Sequence, residues 1–163
     1  MADLTPSEFR VEKRRVDAIL TLSNGASTAG CFFVAGGSAR HVGPERVGDL
    51  LNAETGFFPF EIHGADGDQT VLLHRDHVVM VALNENEASR DPGYGVATER
   101  TAALLLSSGR CLVGALRVYR PRGRDRLSDW AHDAERFRYV ETAEATILIN
   151  IDHVLEVREV APR

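Results

Sequence analysis

Two Asp-His pairs, Asp76-His77 and Asp152-His153, are the residues of this sequence most suited to proton transfer or metal ligation. Each pair is adjacent in a segment that reads as a hairpin tip, where Asp is favoured because its carboxylate caps the turn. The simpler account is therefore structural. His74 and His77 stand three apart on extended chain, start on opposite faces, and do not form a metal grip. Arg46 with Asp49, and Arg126 with Asp129, could make an anion or metal site. At i, i+3 on a short helix the same residues make an ion pair or a helix cap, and their duplication favours that role. Cys31 and Cys111 are too few for a disulfide framework; they read as small buried apolar groups in a reducing compartment, the cytoplasm. The chain has no nucleophile–base–orienter triad, Gly-rich phosphate loop or Cys-x-x-Cys pair. No catalytic residue, metal or cofactor is expected, and the protein reads as non-enzymatic.

One local anomaly remains. Arg117, Arg120, Arg122, Arg124 and Arg126 put five arginines into ten residues, with Tyr119 among them. The set Arg117, Tyr119, Arg120, Arg122 and Arg124 could hold phosphates and stack a base, or dock an acidic partner. It could equally be a solvated loop, since Lys13 is the only lysine and arginine is simply the basic residue of this chain.

The elements that position these residues follow from an internal repeat. Residues 18–25 match 102–109 at an offset of 84, and both segments are followed by a glycine, Gly30 and Gly114. Residues 46–50 match 126–130, and 57–61 match 137–141, at offset 80; residues 71–81 match 147–157 at offset 76. Period-two alternation in Val16, Ala18, Leu20 and Leu22 predicts a strand, and Asn24-Gly25 predicts a tight hairpin turn. A second strand, bent or bulged at Gly30 or Gly114, is followed by a short helix near 44–52 and 126–134. A third strand and a last hairpin turning at the Asp-His pair complete each copy. Five short strands per copy predict an all-β chain with short helices, built as two tandem small barrels. The boundaries read as a helical segment at 1–15, a first barrel at 16–84, a linker at 85–97 and a second barrel at 98–163. Leu4-Thr5-Pro6-Ser7-Glu8-Phe9 carries a helix-start signature. The linker region 84–99 has Pro92, Gly93 and Gly95 and little to bury.

The order strand, Asn-Gly turn, Gly-containing strand, then Asp49-Leu50-Leu51-Asn52, resembles the small barrels of the Sm-like and SH3-like kind. Arg75-Asp76-His77-Val78 looks like the last hairpin of an Sm-like protein, and the whole chain looks similar to uncharacterised bacterial proteins built from this unit. The resemblance implies five-stranded barrels. It also implies RNA binding through an Asp and Asn loop beside the second strand and an Arg-Gly turn in the last hairpin. Here the second copy has Asp129 but His132 in place of the Asn, and both copies lack the Gly of the turn.

The chain has 163 residues, a formal charge of −5, 44% hydrophobic and 26% charged residues, the balance of a folded soluble protein and not of a general nucleic-acid binder. Neither a membrane span nor a signal peptide is expected. The two copies differ in kind at four aligned positions: Phe33 against Arg117, Phe58 against Arg138, Met80 against Glu156 and Leu83 against Glu159. Since the fold admits charge there, these positions are expected outside the barrel core, and Phe33, Phe58, Met80 and Leu83 are expected to form an apolar face. Burying each would gain roughly 1.5–3 kcal/mol. The face is predicted to bind the other copy, the N-terminal helix or another chain, so a protein partner or self-association leads over nucleic acid. Unequal faces argue against a ring built from every copy in the same way.

Overall fold

A computed structural model describes residues 13–37 and 43–161. The helix expected at Leu4–Phe9 lies outside the described residues. In chain order the strands are β1 (Lys13–Leu22), β2 (Ser27–Ala35), β3 (Phe57–Gly64), β4 (Gly67–His74), β5 (Val78–Leu83), β6 (Thr98–Leu106), β7 (Cys111–Val118), β8 (Phe137–Glu141), β9 (Thr146–Asn150) and β10 (Val154–Glu159). Two short helices, α1 (Val47–Ala53) and α2 (Leu127–Ala131), follow β2 and β7. The chain is all-β with short helices, as the alternation implies.

The repeat is reproduced pair by pair. Ala18 lies opposite Gly30 on one side and Leu83 on the other; Ala102 lies opposite Gly114 and Glu159. Cys31 faces Glu61, and Ala115 faces Glu141. The Asn24-Gly25 and Ser108-Gly109 turns have Gly25 and Gly109 at a φ of 86°, a region that glycine enters without strain. Gly30 is required by proximity: a Cβ there would meet the Glu61 carbonyl oxygen at 1.9 Å.

The last hairpin expected of each copy does not form. A single 3-10 turn, Arg75–His77, separates β4 from β5, and the two strands do not pair. β5 pairs with β1 on one side and with β9 of the other copy on the second. The sheet is consequently continuous through both copies, in the order β10-β6-β7-β8-β9-β5-β1-β2-β3-β4.

Two cores share this sheet. The first contains Leu20, Phe32, Val34, Phe58, Phe60 and Val81, with Phe137 and Leu148 contributed by the second copy. The second contains Leu104, Leu116, Trp130, Val140 and Ile149, with Val79 and Met80 contributed by β5. The link is the pleat: neighbouring residues of paired strands point to opposite faces, so β5 and β9 each feed both cores.

The segment between the copies buries more than its composition suggests. Its 3-10 turn, Glu87–Arg90, holds Glu87 and Ala88 out of solvent. The Glu87 carboxylate accepts from Val47 N–H at 3.0 Å and from the Tyr139 hydroxyl at 3.0 Å, so it caps α1 and ties it to β8.

Charge does enter the core, which overturns the expectation that Phe58 lies outside it. Phe58 is buried in the first core. Its counterpart Arg138 is also buried, and its guanidinium donates to the carbonyls of Trp130, Asp133 and Glu135. In the first copy Arg75 does the same work from a different position in the chain. It donates to Leu50 O at 3.0 Å and Leu51 O at 3.2 Å, with its guanidinium 5.5 Å from the Phe58 ring centroid. Each copy thus has one buried arginine at the end of its short helix, donating to Leu50 and Leu51 carbonyls of α1 in the first and to the Trp130 carbonyl of α2, with Asp133 and Glu135 just beyond it, in the second.

Candidate functional site

The junction between the copies is built from the β5·β9 ladder: Met80 opposite Ile149, Val81 opposite Leu148, Ala82 opposite Ile147 and Leu83 opposite Thr146. Polar groups fix its register. Asn150 Oδ1 accepts from Asp152 N–H at 3.1 Å while its Nδ2 donates to Val78 O at 2.9 Å. His153 Nε2 donates to Asp76 O at 2.7 Å, which leaves Nδ1 to accept from the Ser107 hydroxyl at 2.9 Å. Arg136 pairs with Asp76 and Asp152, one from each copy. The Asn52 side chain accepts from Phe137 N–H at 2.8 Å and donates to Phe137 O at 2.9 Å.

The same strands face solvent at the two ends of the sheet. β4, the counterpart of β9, and β10, the counterpart of β5, have no strand partner on their outer sides among the described residues. Three residues buried at the junction have exposed counterparts there. Phe137, Leu148 and Val79 are 1%, 0% and 0% exposed; Phe57, Leu72 and Leu155 are 61%, 66% and 69% exposed. β4 also carries Val71 and Leu73, both partly buried, and its only charges are Asp68 and the titratable His74. β10 carries Glu156, Arg158 and Glu159.

The predicted apolar face is not free surface. Phe58, Met80 and Leu83 are buried within the chain, and only Phe33 is half-buried, with Arg15 5.6 Å from its ring centroid. Met80 meets the second copy, one of the anticipated occupants; Phe58 and Leu83 belong to the first core. The exposure of Phe57 and Leu72 is not legible in the pattern because each matches an apolar residue of the other copy. Only the end of the sheet separates their fates.

The arginine-rich loop is half tied down. Arg117 pairs with Glu141 at 2.9 Å and Glu99 at 3.0 Å and lies over the Tyr94 ring at 3.7 Å. The Tyr119 hydroxyl donates to Asp91 at 3.0 Å. Arg120, Arg122 and Arg124 are exposed and make no ion pair among the described residues.

The Asp-His pairs lie at the two 3-10 turns, where each His ties the turn to a hairpin tip. His77 Nδ1 is 3.0 Å from Ser23 Oγ, the counterpart of the Ser107–His153 contact. Arg46 and Asp49 form a bidentate i, i+3 ion pair, with Asp49 accepting from Arg46 N–H at 2.9 Å; Asp129 accepts from Arg126 N–H at 2.8 Å. Burial would lower the Arg46 pKa, but Asp49 and Asp91 outweigh it and raise the value.

A cluster not expected from sequence is Cys31, Glu61 and His63, whose ligand-type atoms lie within 4.8 Å of one another. Cross-strand pairing of Cys31 with Glu61 assembles it, a contact that only the ladder reveals. The Glu61 carboxylate is occupied by Arg15 at 3.0 Å and by the Cys31 thiol at 3.7 Å. Burial and then the Glu61 charge push the thiol pKa up, so a proton and a guanidinium sit where a cation would. The cavity between Arg117, Tyr119, Trp130 and Tyr139 measures about 60 Å³. A wider groove of about 460 Å³ runs beside the junction, over Met80, Ala82, Leu112 and Ile147.

No protein-family model, curated protein or solved structure matches the chain.

Proposed function

We propose that the protein is a non-enzymatic assembly module that acts by accepting a β-strand along β4. The observation that carries this reading is the contrast between Leu72, exposed on β4 between the partly buried Val71 and Leu73, and the matching Ile147-Leu148-Ile149, buried against β5. An edge strand that carries an apolar run, Val71 to Leu73, and neither Lys nor Pro is a template for strand addition, because its backbone groups give affinity and its side chains give selectivity. Each half is, in this reading, a small barrel of the SH3-like or Sm-like kind whose open side is completed by a neighbour. A bacterial cytoplasmic setting suits such a module, and among the described residues no helix is long and apolar enough to cross a membrane.

Arg120, Arg122 and Arg124 support a second reading, RNA or anion binding by the loop of the second half. Salt separates the two. Phosphate binding weakens steeply as salt rises, whereas apolar strand addition does not. The test retains proteins from source lysate on the immobilised full chain, and titrates a mixed-sequence single-stranded oligoribonucleotide in parallel. Strand addition predicts that Leu72→Asp loses the retained protein at low and high salt, while the Arg120, Arg122 and Arg124 triple alanine variant keeps it. Oligoribonucleotide binding abolished by the triple variant, with retention untouched by Leu72→Asp, would replace the first reading with the second.

A further inference from the structure

Resting on the β4 reading, we infer that the strand it accepts is β10 of a second copy of this chain. The contact would repeat, between chains, the junction that β5 and β9 make within one. The inference starts from the exposed residues. Phe57, Leu72 and Leu155 are the three large side chains whose counterparts, Phe137, Leu148 and Val79, are buried at the inner junction. Two of them lie at the β4 end and the third on β10, so no pairing of β4 with another β4 covers all three. Docking β10 on β4 head to tail does. The inner register, transferred to the ends, sets Leu73 against Glu156, Leu72 against Val157, Val71 against Arg158 and Thr70 against Glu159.

The hydrogen-bond donors are already in place. His74 stands at the Asn150 position, and its Nδ1 accepts from Asp76 N–H at 3.1 Å as Asn150 Oδ1 does from Asp152 N–H. Neutral His74 therefore carries its proton on Nε2, the counterpart of the Asn150 amide that donates across the inner junction. His77 matches His153. With Nδ1 at Ser23, its Nε2 corresponds to the donor that reaches the Asp76 carbonyl within the chain.

The charges on β10 fit this partner. Glu156 replaces Met80, which packs at the inner junction near Leu112 and Ala145. On the first copy those two positions are Thr28 and Gln69. Both sides of the outer contact are thus more polar than the inner one, and its fixing groups Arg136 and Asn52 are replaced by Gly56 and His132. The contact is weaker than the inner one and reversible. A head-to-tail contact closes into a ring or continues as a filament.

Sedimentation velocity on the purified full chain, across a concentration series, tests the inference. The wild type is expected to grow beyond a dimer. Leu72→Asp and Leu155→Asp should each be monomeric alone, and an equal mixture should form a dimer and nothing larger, since one intact β4 and one intact β10 remain. Both residues are exposed, so unchanged circular dichroism and Trp130 fluorescence confirm that each variant is folded. A wild type that stays monomeric at millimolar concentration overturns the inference. So does a wild-type oligomer that Leu72→Asp dissolves but Leu155→Asp leaves intact, which would be β4 pairing with β4. A monomeric wild type that still retains a protein through Leu72 would overturn this partner while leaving the strand-accepting reading standing.

Discussion

Single side chains divide into those with counterparts in the other copy and those without. Cys31 belongs to the second kind: Ala115 stands at its position, and its thiol is buried against Glu61. Its raised pKa makes it a poor nucleophile, whereas Cys111 is exposed. An aromatic disulfide reagent should modify one thiol per folded chain quickly and the second only in denaturant. Fast reaction of both would mean that the Glu61 contact does not persist. Carboxylates act on stability in opposite directions. Burial would raise the Glu141 pKa, but hydrogen bonds from Tyr94, Arg117 and Asn86 outweigh it and hold it low. Its contribution is present above the usual carboxylate range and is lost as pH falls through its lowered value. Burial raises the Glu87 pKa, so the fold takes up a proton there first and loses stability as pH rises between the ordinary and raised values. Urea titrations across acid pH should therefore show a shallower acid limb in Glu141→Gln than in the wild type, with lower stability at neutral pH. None of these pairings was legible in sequence, because Cys31 with Glu61 and Arg117 with Glu141 meet across strands.

Elements were more legible than contacts. Asn24-Gly25 and Ser108-Gly109 give the turns, and alternation gives β1 and β6, because local sterics decide both. What alternation missed is that β4 and β5 do not pair; a period-two pattern marks strands but carries no information about which strand lies beside them. The helix-end arginines show the same limit. Phe58 and Arg138 differ in kind, and that difference suggests a surface position. The structure instead shows a correlated exchange, Phe58 with Arg75 in one copy and Arg138 with Ile151 in the other. Removing the guanidinium by Arg75→Ile leaves buried carbonyls of α1 without donors and should cost about 1–3 kcal/mol. Phe58→Arg alone places a second guanidinium beside Arg75 and should also destabilise. The double variant Phe58→Arg/Arg75→Ile recreates the arrangement of the second copy and should lose less than the sum of the single changes in chemical unfolding. Additive losses would show that the two arginines are not interchangeable caps.

At the scale of the whole molecule, the contact proposed for the outer edges has its precedent inside the chain, at the β5·β9 junction. That junction is expected to make unfolding cooperative, because Leu148 and Phe137 leave the second copy to complete the first core, while Val79 and Met80 complete the second. Two halves that trade core residues are expected to unfold together. The single tryptophan, Trp130, lies in the second core and reports on that half alone, whereas far-ultraviolet circular dichroism reports on both. Leu148→Ala removes a side chain from the first core and should cost about 2–5 kcal/mol. The decisive measurement is urea unfolding of the wild type and Leu148→Ala, followed by both signals. Coincident transitions are expected in each protein, with the variant's two midpoints lowered together. A dichroism transition that moves to lower urea while the Trp130 transition stays at its wild-type midpoint would contradict the shared sheet and, with it, the reading of β4 and β10 as its open ends.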